Sequence, residues 1–496
     1  MAKCIMVQGT MSGAGKSLIT AALCRIFKQD GYRTAPFKSQ NMALNSFVTQ
    51  DGLEMGRAQA VQALAAGREP DVRMNPVLLK PTGERKSQVI AGGRVIGEYS
   101  ASDYYNMKKQ LVPYILKAYG ELAEENDIIV IEGAGSPAEI NLRSGDIVNM
   151  GLAELVDAKV LLVGNIDPGG VFAQLYGTVG LLSEAERGRI AGFIINKFRG
   201  DVNLLKPGLT ELSSLTGIPV LGVVPYADVR IEEEDSLSEE LTRRDHEKLI
   251  DTAVIRLPYI SNYTDLEPFD RSRHLGVRYV EEAASLGRPD LIVIPGSKNT
   301  IEDLRWLKRK GLFKAILAAG ENGSDIFGIC GGYQMLGKRL WEPESGESED
   351  GFSFFPLGTE FRPGKLTRQV KGRFLAGPFK DLSVSGYEIH SGVTALCPDE
   401  DTGDGEVLLE LETKEGERFK DGYIRGNVCG TYLHGIFESG ELLERLAGHY
   451  LDKRGLSQKP LGMDGDYDVY RQKQYDALAG IVRESVDINR IYEVMG

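Results

Sequence analysis

Lys3-Cys4-Ile5-Met6-Val7-Gln8-Gly9-Thr10-Met11-Ser12-Gly13-Ala14-Gly15-Lys16-Ser17 joins an apolar run to a glycine-rich turn, and a helical pattern follows. A short continuous apolar run reads as a strand buried on both faces, the mark of a parallel sheet. A glycine-rich turn between such a strand and a helix lets successive backbone N–H groups point at phosphate oxygens. The helix N-terminus adds partial positive charge there. In this arrangement Thr10, Gly13 and Gly15 line a phosphate cradle, Lys16 meets the β- and γ-phosphates of ATP, and the Ser17 hydroxyl is a ligand for Mg²⁺. The strict pattern G-x-x-x-x-G-K-[ST] has glycine where this chain has Thr10, with Gly9 one place earlier.

The same strand-then-helix rhythm continues outward from this loop. Strand-like runs at Cys4–Gln8, Ile128–Glu132, Val160–Asn165, Ile190–Asn196 and Val220–Val224 alternate with helical stretches such as Lys16–Asp30 and Tyr104–Glu125. That is a doubly wound α/β layout. The stretch from Ile231 to Asp245 is acidic and poor in apolar residues, and reads as a linker or a solvated helix. A second α/β unit follows, with strand candidates Thr252–Leu257, Leu291–Ile294, Ile326–Ile329, Gly422–Arg425 and Val428–Tyr432. Trp341–Gly351, rich in Glu, Ser and Gly, is predicted to be an exposed loop. The fold class is therefore α/β with two doubly wound parallel-sheet domains and a mainly helical C-terminal tail. The expected boundaries are 1–228 for the nucleotide domain, 229–250 for the linker, 251–443 for the second domain and 444–496 for the tail.

The second domain carries Gly328-Ile329-Cys330-Gly331-Gly332-Tyr333-Gln334 after its strand-like run. A strained strand–turn–helix presents the sulfur at the sheet edge, the glycines relieve crowding, and the helix N-terminus favours thiolate. A general base is then needed, and the chain has only five histidines. His434 follows a strand late in the same domain. His390, in Gly386-Tyr387-Glu388-Ile389-His390, is the alternative and is placed nearer the pocket for the thiolate's substrate.

Composition excludes several other classes. A net charge of −13 disfavours unspecific binding to nucleic acid or anionic membrane. The five cysteines form no CxxC pair and no metal-ligand spacing, which fits a reducing compartment. No signal-peptide pattern and no run of about 18 apolar residues is present, so a cytoplasmic location is expected.

These motifs carry a family resemblance. The phosphate loop resembles the dethiobiotin-synthetase-like branch of P-loop enzymes, in which an E-G-A-G turn supplies a metal-binding glutamate. Ile131-Glu132-Gly133-Ala134-Gly135 matches, making Glu132 the second Mg²⁺ ligand, with Asp51 a further candidate. Met11 stands where the partition-ATPase branch has its signature lysine. Asn196, at the end of a buried strand, is a candidate adenine contact.

Gly328–Gln334 resembles the nucleophile signature of class I glutamine amidotransferases. That likeness implies Cys330 as nucleophile and His434 as base, Gly296 and Gly331 at the oxyanion, and Gln334 with His390 around glutamine. Where that class has a glutamate two residues after the histidine, this chain has Ile436. The triad is thereby reduced to a Cys330–His434 dyad unless Glu438 or another carboxylate substitutes.

The combination resembles the corrin amidases of cobalamin biosynthesis. Lys38–Ser46, Glu132–Leu142, Asp167–Gly170 and Asn196–Asp201 carry the likeness in the first half. It implies ATP- and glutamine-dependent amidation of carboxylates on adenosylcobyrinic acid a,c-diamide, through an acyl phosphate and released ammonia. No nucleic-acid or membrane partner and no tightly bound prosthetic group are expected. Two alternatives share the motifs: the sister activity that makes the a,c-diamide, and a regulatory P-loop ATPase with an inactive amidotransferase-like module.

Overall fold

The computed structural model describes residues 2–82, 86–227, 229–231, 248–398, 400–401, 403–456 and 467–496. Most of the acidic stretch expected as a linker lies outside them. Two compact units emerge. One comprises Met1–Met42, Met55–Glu232 and Arg471–Gly496, and the other Ala43–Glu54 and Glu233–Tyr470. Each thus includes a segment distant from it in sequence, where the sequence reading has a simple succession of domains.

The first unit is built on a six-stranded parallel sheet. Its spatial order is Val220–Pro225, Ile190–Phe198, Lys159–Asn165, Lys3–Gly9, Ile128–Glu132 and Thr34–Phe37. Lys3–Gly9 is central, and the chain winds away from it in both directions, so its C-terminal end is the switch point where such sheets hold ligands. Helix Lys16–Gln29 starts there and buries Ile19, Leu23, Ile26 and Phe27. The expected helix Tyr104–Glu125 is instead Ala101–Met107, a 3₁₀ turn Lys108–Leu111, and Val112–Glu125. Pro113 lies in the first turn of that last helix, where its missing N–H costs nothing.

A four-stranded sheet of Gln40–Met42, Val77–Pro81, Lys86–Ala91 and Arg94–Ser100 also belongs to this unit and is absent from the sequence reading. The C-terminal helices Tyr467–Ser485 and Ile488–Met495 close the first core. Tyr475, Leu478, Ala479 and Val482 form one buried stripe at helical spacing, packed in a cluster with Ile5, Val7, Ile19 and Leu23.

The second unit has five parallel strands in the order Leu275–Val280, Ile250–Ile255, Leu291–Ile294, Asp325–Ile329 and Val428–Thr431. The sheet then continues antiparallel through Arg418–Arg425, Glu406–Thr413 and Leu357–Phe374, the last also paired with Ser383–Leu396. Trp341–Gly351 is not a free loop. Arg339–Glu342 and Glu347–Asp350 form an antiparallel hairpin joined to Leu357–Phe374, and Arg305 on helix Thr300–Arg309 ion-pairs with Glu347 and Glu349. Helix Gly440–Lys453 buries Leu442, Leu443, Leu446 and Tyr450 in this unit's core. Among the described residues no helix is long and apolar enough to cross a membrane.

The stripe on the C-terminal helix gives a direct expectation. Leu478, 1 % exposed, should cost about 2–5 kcal/mol when replaced by alanine. Denaturant unfolding should show the loss in a transition that also reports the nucleotide unit, with helix Gly440–Lys453 and its core unaffected.

Candidate active sites

The phosphate loop takes its shape from Gly13 (φ 73°) and Gly15 (φ 92°), both in a left-handed conformation that side chains resist. Gly15 is also crowded: an added Cβ would lie 2.0 Å from the Asn196 amide nitrogen. That amide donates to the Ala14 carbonyl at 3.1 Å, and Asn196 is 1 % exposed. Asn196 therefore props the loop from beneath with its amide nitrogen. Thr10 donates from Oγ1 to Gln174 at 3.1 Å.

Lys16 folds back under the loop, its ammonium donating to the carbonyls of Met11 (3.0 Å) and Gly135 (3.1 Å). Burial pushes that ammonium down to about 8, and nearby Lys38 adds to the effect while Glu132 opposes it. Ser17 Oγ donates to Glu132 Oε1 at 2.8 Å, so these two meet as the sequence motifs imply. Glu132 is 1 % exposed. Burial alone would raise its carboxyl, but Lys38 at 2.9 Å and hydrogen bonds from Gln62 and Ser17 hold it below the usual range. Neither Lys38 nor Gln62 was singled out from sequence. Lys38 lies in the quoted run Lys38–Ser46, whereas Gln62 carries no local signal. Asp51 sits on an exposed turn counted with the other unit and is not part of the Ser17–Glu132 cluster.

In the second unit Cys330 ends strand Asp325–Ile329 and caps helix Gly331–Leu336 with φ 51° and ψ −105°. This is the strained strand-to-helix turn that a nucleophile elbow requires. The flanking glycines are required by space. An added Cβ on Gly332 would lie 1.8 Å from the Ile294 carbonyl oxygen, and one on Gly328 would lie 2.7 Å from the Tyr333 nitrogen. The Cys330 thiol points at the Ile389 carbonyl, 3.7 Å away.

His434 is 1 % exposed, and the Cys330 side chain is among the groups that act on its ring. Its Nδ1 donates to Asp265 Oδ2 at 2.7 Å, and the next backbone amide, of Gly435, donates to Asp265 Oδ1 at 2.8 Å. Burial disfavours the charged ring, but the Asp265 carboxylate and the neighbouring Cys330 outweigh it and raise the imidazole to about 10. Sequence reading missed Asp265, which lies in the 3₁₀ helix Tyr263–Arg271, far upstream of the histidine it meets.

Gly296 and Gly331 come together beside this pair. A Cβ on Gly296 would be 3.1 Å from the His434 ring, and one on Gly331 would be 2.8 Å from the Ser297 nitrogen. Gln334 is 3 % exposed; its oxygen accepts from Thr300 at 3.1 Å and its nitrogen donates to the Tyr432 hydroxyl at 3.2 Å. His390 stacks on Tyr432, with ring centroids 3.7 Å apart, and Nδ1 lies 2.8 Å from the Gly392 carbonyl. Burial lowers its pKa to about 4. Its Nε2 is buried without a hydrogen-bond partner, so it is an open polar position within the site's wall.

Comparison with known proteins assigns each half of the chain to a family. The family of CobQ/CobB/MinD/ParA nucleotide binding domains matches residues 5–238, and that of CobB/CobQ-like glutamine amidotransferase domains matches residues 251–442. The class is thus a glutamine-dependent amidoligase with a P-loop nucleotide domain. A cobyric acid synthase of Ruminiclostridium cellulolyticum is 52% identical, with 100% of this chain and 97% of that protein covered. One of Lachnoclostridium phytofermentans is also 52% identical, over 100% of this chain and 99% of its own. The chain belongs to the cobyric acid synthase family. A solved glutamine amidotransferase structure covers 41% of this chain and 98% of its own at 16% identity; its TM-score of 0.29 is too low to carry an argument.

Two outcomes test the geometry. Gly332→Ala should displace the elbow and remove glutamine-driven turnover, measured as glutamate release. Phosphate binding requires the charged form of Lys16, so nucleotide binding above about pH 8 should take up a proton and weaken as pH rises, by at most about tenfold per unit. Calorimetry in buffers of different ionisation enthalpy should register that uptake near pH 9 and little of it near pH 6.5.

Proposed function

We propose that this chain amidates the b, d, e and g carboxylates of adenosylcobyrinic acid a,c-diamide, making cobyric acid with glutamine as nitrogen donor and one ATP consumed per amide. The observation that carries the reading is the presence in one chain of a buried Lys16–Ser17–Glu132 cluster and a Cys330–His434 pair on a strained elbow. The first suits phosphoryl transfer and the second suits release of ammonia from an amide.

In the glutaminase reaction His434 already holds the proton given up by Cys330, and the Sγ thiolate attacks the carboxamide carbon. The resulting oxyanion lies where backbone N–H groups near Gly296 and Gly331 can receive it. His434 returns the proton to the departing nitrogen, ammonia leaves, and water hydrolyses the thioester to glutamate. Gln334 and His390 form part of the wall that receives glutamine. Gln334 acts through the fixed position set by Thr300 and Tyr432.

In the synthetase reaction a substrate carboxylate oxygen attacks the γ-phosphorus of ATP, ADP departs, and ammonia displaces phosphate from the acyl phosphate. Thr10, Gly13 and Gly15 shape the loop, and Lys16 swings from its carbonyl partners to the phosphates. Ser17 and Glu132 offer the hard oxygen donors that suit Mg²⁺ and would hold it. When bound, that ion neutralises charge on the β- and γ-phosphate oxygens. Lys38 shares the carboxylate with Ser17 and keeps Glu132 ionised before the metal arrives. Catalysis here is positioning and charge neutralisation.

Mass spectrometry of the a,c-diamide incubated with enzyme, glutamine and Mg-ATP tests the assignment. Four successive losses of about one mass unit are expected, one per hydroxyl replaced by an amino group. Amidation of cobyrinic acid instead would move the assignment to the sister activity. Cys330→Ala should abolish use of glutamine and retain amidation with ammonium salt; loss of both would sink the division of labour.

A further inference from the structure

The glutamate that follows the histidine in related amidotransferase sites is replaced here by Ile436, which is 1 % exposed and lies in the core. The ring is nonetheless not left without a carboxylate. Asp265 spends one oxygen on His434 Nδ1 and the other on the Gly435 amide, so it grips both the ring and the backbone that carries it. Both partners are almost wholly buried, with side-chain exposures of 1 % for His434 and 4 % for Asp265. With Nδ1 taken by Asp265, the only ring nitrogen left for Cys330 is Nε2, the orientation that acyl transfer requires. The same bond leaves no place for Glu438 as the orienting group.

The segment bearing Asp265 is held from an unexpected direction. Ile260–Ser261 pairs antiparallel with Gly296–Ser297, the strand that meets the His434 ring. Asn262 then turns the chain with φ 53°, a conformation asparagine tolerates better than most residues, and starts the 3₁₀ helix. Its backbone amide donates to Asn45 Oδ1 at 2.7 Å, and its own Oδ1 accepts from the Ser46 amide at 3.0 Å. Asn45 is 0 % exposed. Tyr387, which stacks on His434, donates from its hydroxyl to the Ser46 carbonyl at 3.3 Å. Residues Ala43–Glu54, encoded within the nucleotide-binding half of the sequence, thus form the brace behind the histidine.

We propose that Asp265 is the positioning carboxylate of a Cys330–His434–Asp265 triad rebuilt from the N-terminal side of the domain, with Asn45 fixing the turn that presents it. The proposal rests on the reading of Cys330 and His434 as nucleophile and base. Asp265 holds one tautomer and one ring orientation, and stabilises the imidazolium formed when the thiol gives up its proton. The other groups around the ring are Cys330, Glu388, His390 and the Tyr387 hydroxyphenyl. Burial raises Glu388 to about 7, so it contributes a partial negative charge near neutral pH. Asp265 is the carboxylate in direct contact with the ring.

The test compares glutamine-driven with ammonium-driven amidation in the full-length enzyme. In Asp265→Asn the glutamine-driven kcat should fall by about 10²–10⁴-fold with glutamine KM little changed, because the ring loses its orienting acceptor. The alkaline limb of the glutamine-driven rate should move to lower pH, since removing the carboxylate lowers the imidazolium pKa. Asn45→Ala should lose about tenfold or more of the same rate through misplacement of the turn. Ammonium-driven amidation should persist in both, which separates a positioning defect from unfolding. Glutamine-driven rates within about threefold of wild type in Asp265→Asn, or an unmoved alkaline limb, would overturn the proposal. Should Asp265→Asn lose both activities, Asp265→Glu decides: partial recovery of glutamine use by the carboxylate supports the assignment, and behaviour equal to asparagine refutes it. A Cys330→Ala enzyme that still uses glutamine would refute the underlying reading instead, whatever Asp265 does.

Discussion

A buried parallel strand that ends abruptly in a helix leaves the chain little room to turn, and both candidate sites of this protein are built on that constraint. At the end of Lys3–Gly9 the turn is made by Gly13 and Gly15 in left-handed conformations, which exposes backbone amides to phosphate. At the end of Asp325–Ile329 it is made by Cys330 itself at φ 51°, which lifts a thiol out of the sheet. The first turn serves a ligand with its backbone and the second with its side chain. In each case a packed neighbour prevents relaxation: Asn196 beneath Gly15, and the Ile294 carbonyl against Gly332.

Buried charge is handled alike at the two sites. Glu132 is taken out of water by its place at a strand end, and remains ionised because Lys38, Gln62 and Ser17 converge on it. His434 is taken out of water to the same extent, and holds a proton because Asp265 and Cys330 flank it. Leaving either charge alone would cost several kcal/mol, since a buried pair missing one partner retains an uncompensated ion. The same pairing prepares the chemistry, because a carboxylate already held ionised can receive a cation, and an imidazolium already held in one orientation can give its proton to a leaving group.

Most strands of the two parallel sheets were legible because burial on both faces writes itself as short continuous apolar runs, as in Ile128–Glu132 and Leu291–Ile294; Thr34–Phe37, short and holding a proline, and Leu275–Val280, interrupted by Arg278, were not. The phosphate loop, Glu132, the elbow and His434 were legible because each lies beside such a run within a local motif. What was not legible depends on contacts distant in sequence. Asp265 lies in a 3₁₀ helix that carries no motif beside a strand-like run, and only the fold brings it to His434. Asn196 ends a buried strand as expected, but whether its amide faces a ligand or the loop is a matter of packing. The long strands Leu357–Phe374 and Ser383–Leu396 mix exposed charges with scattered apolar residues, so neither a strand nor a helix period stood out.

The central claim is that ATP activates the substrate as an acyl phosphate before ammonia arrives. Substrate carrying ¹⁸O in its free carboxylates, turned over with ammonium and Mg-ATP, tests this most directly. The account predicts one ¹⁸O in inorganic phosphate for each amide formed, because the carboxylate oxygen that attacks phosphorus leaves with it. Label appearing in AMP, or phosphate free of ¹⁸O, would contradict it.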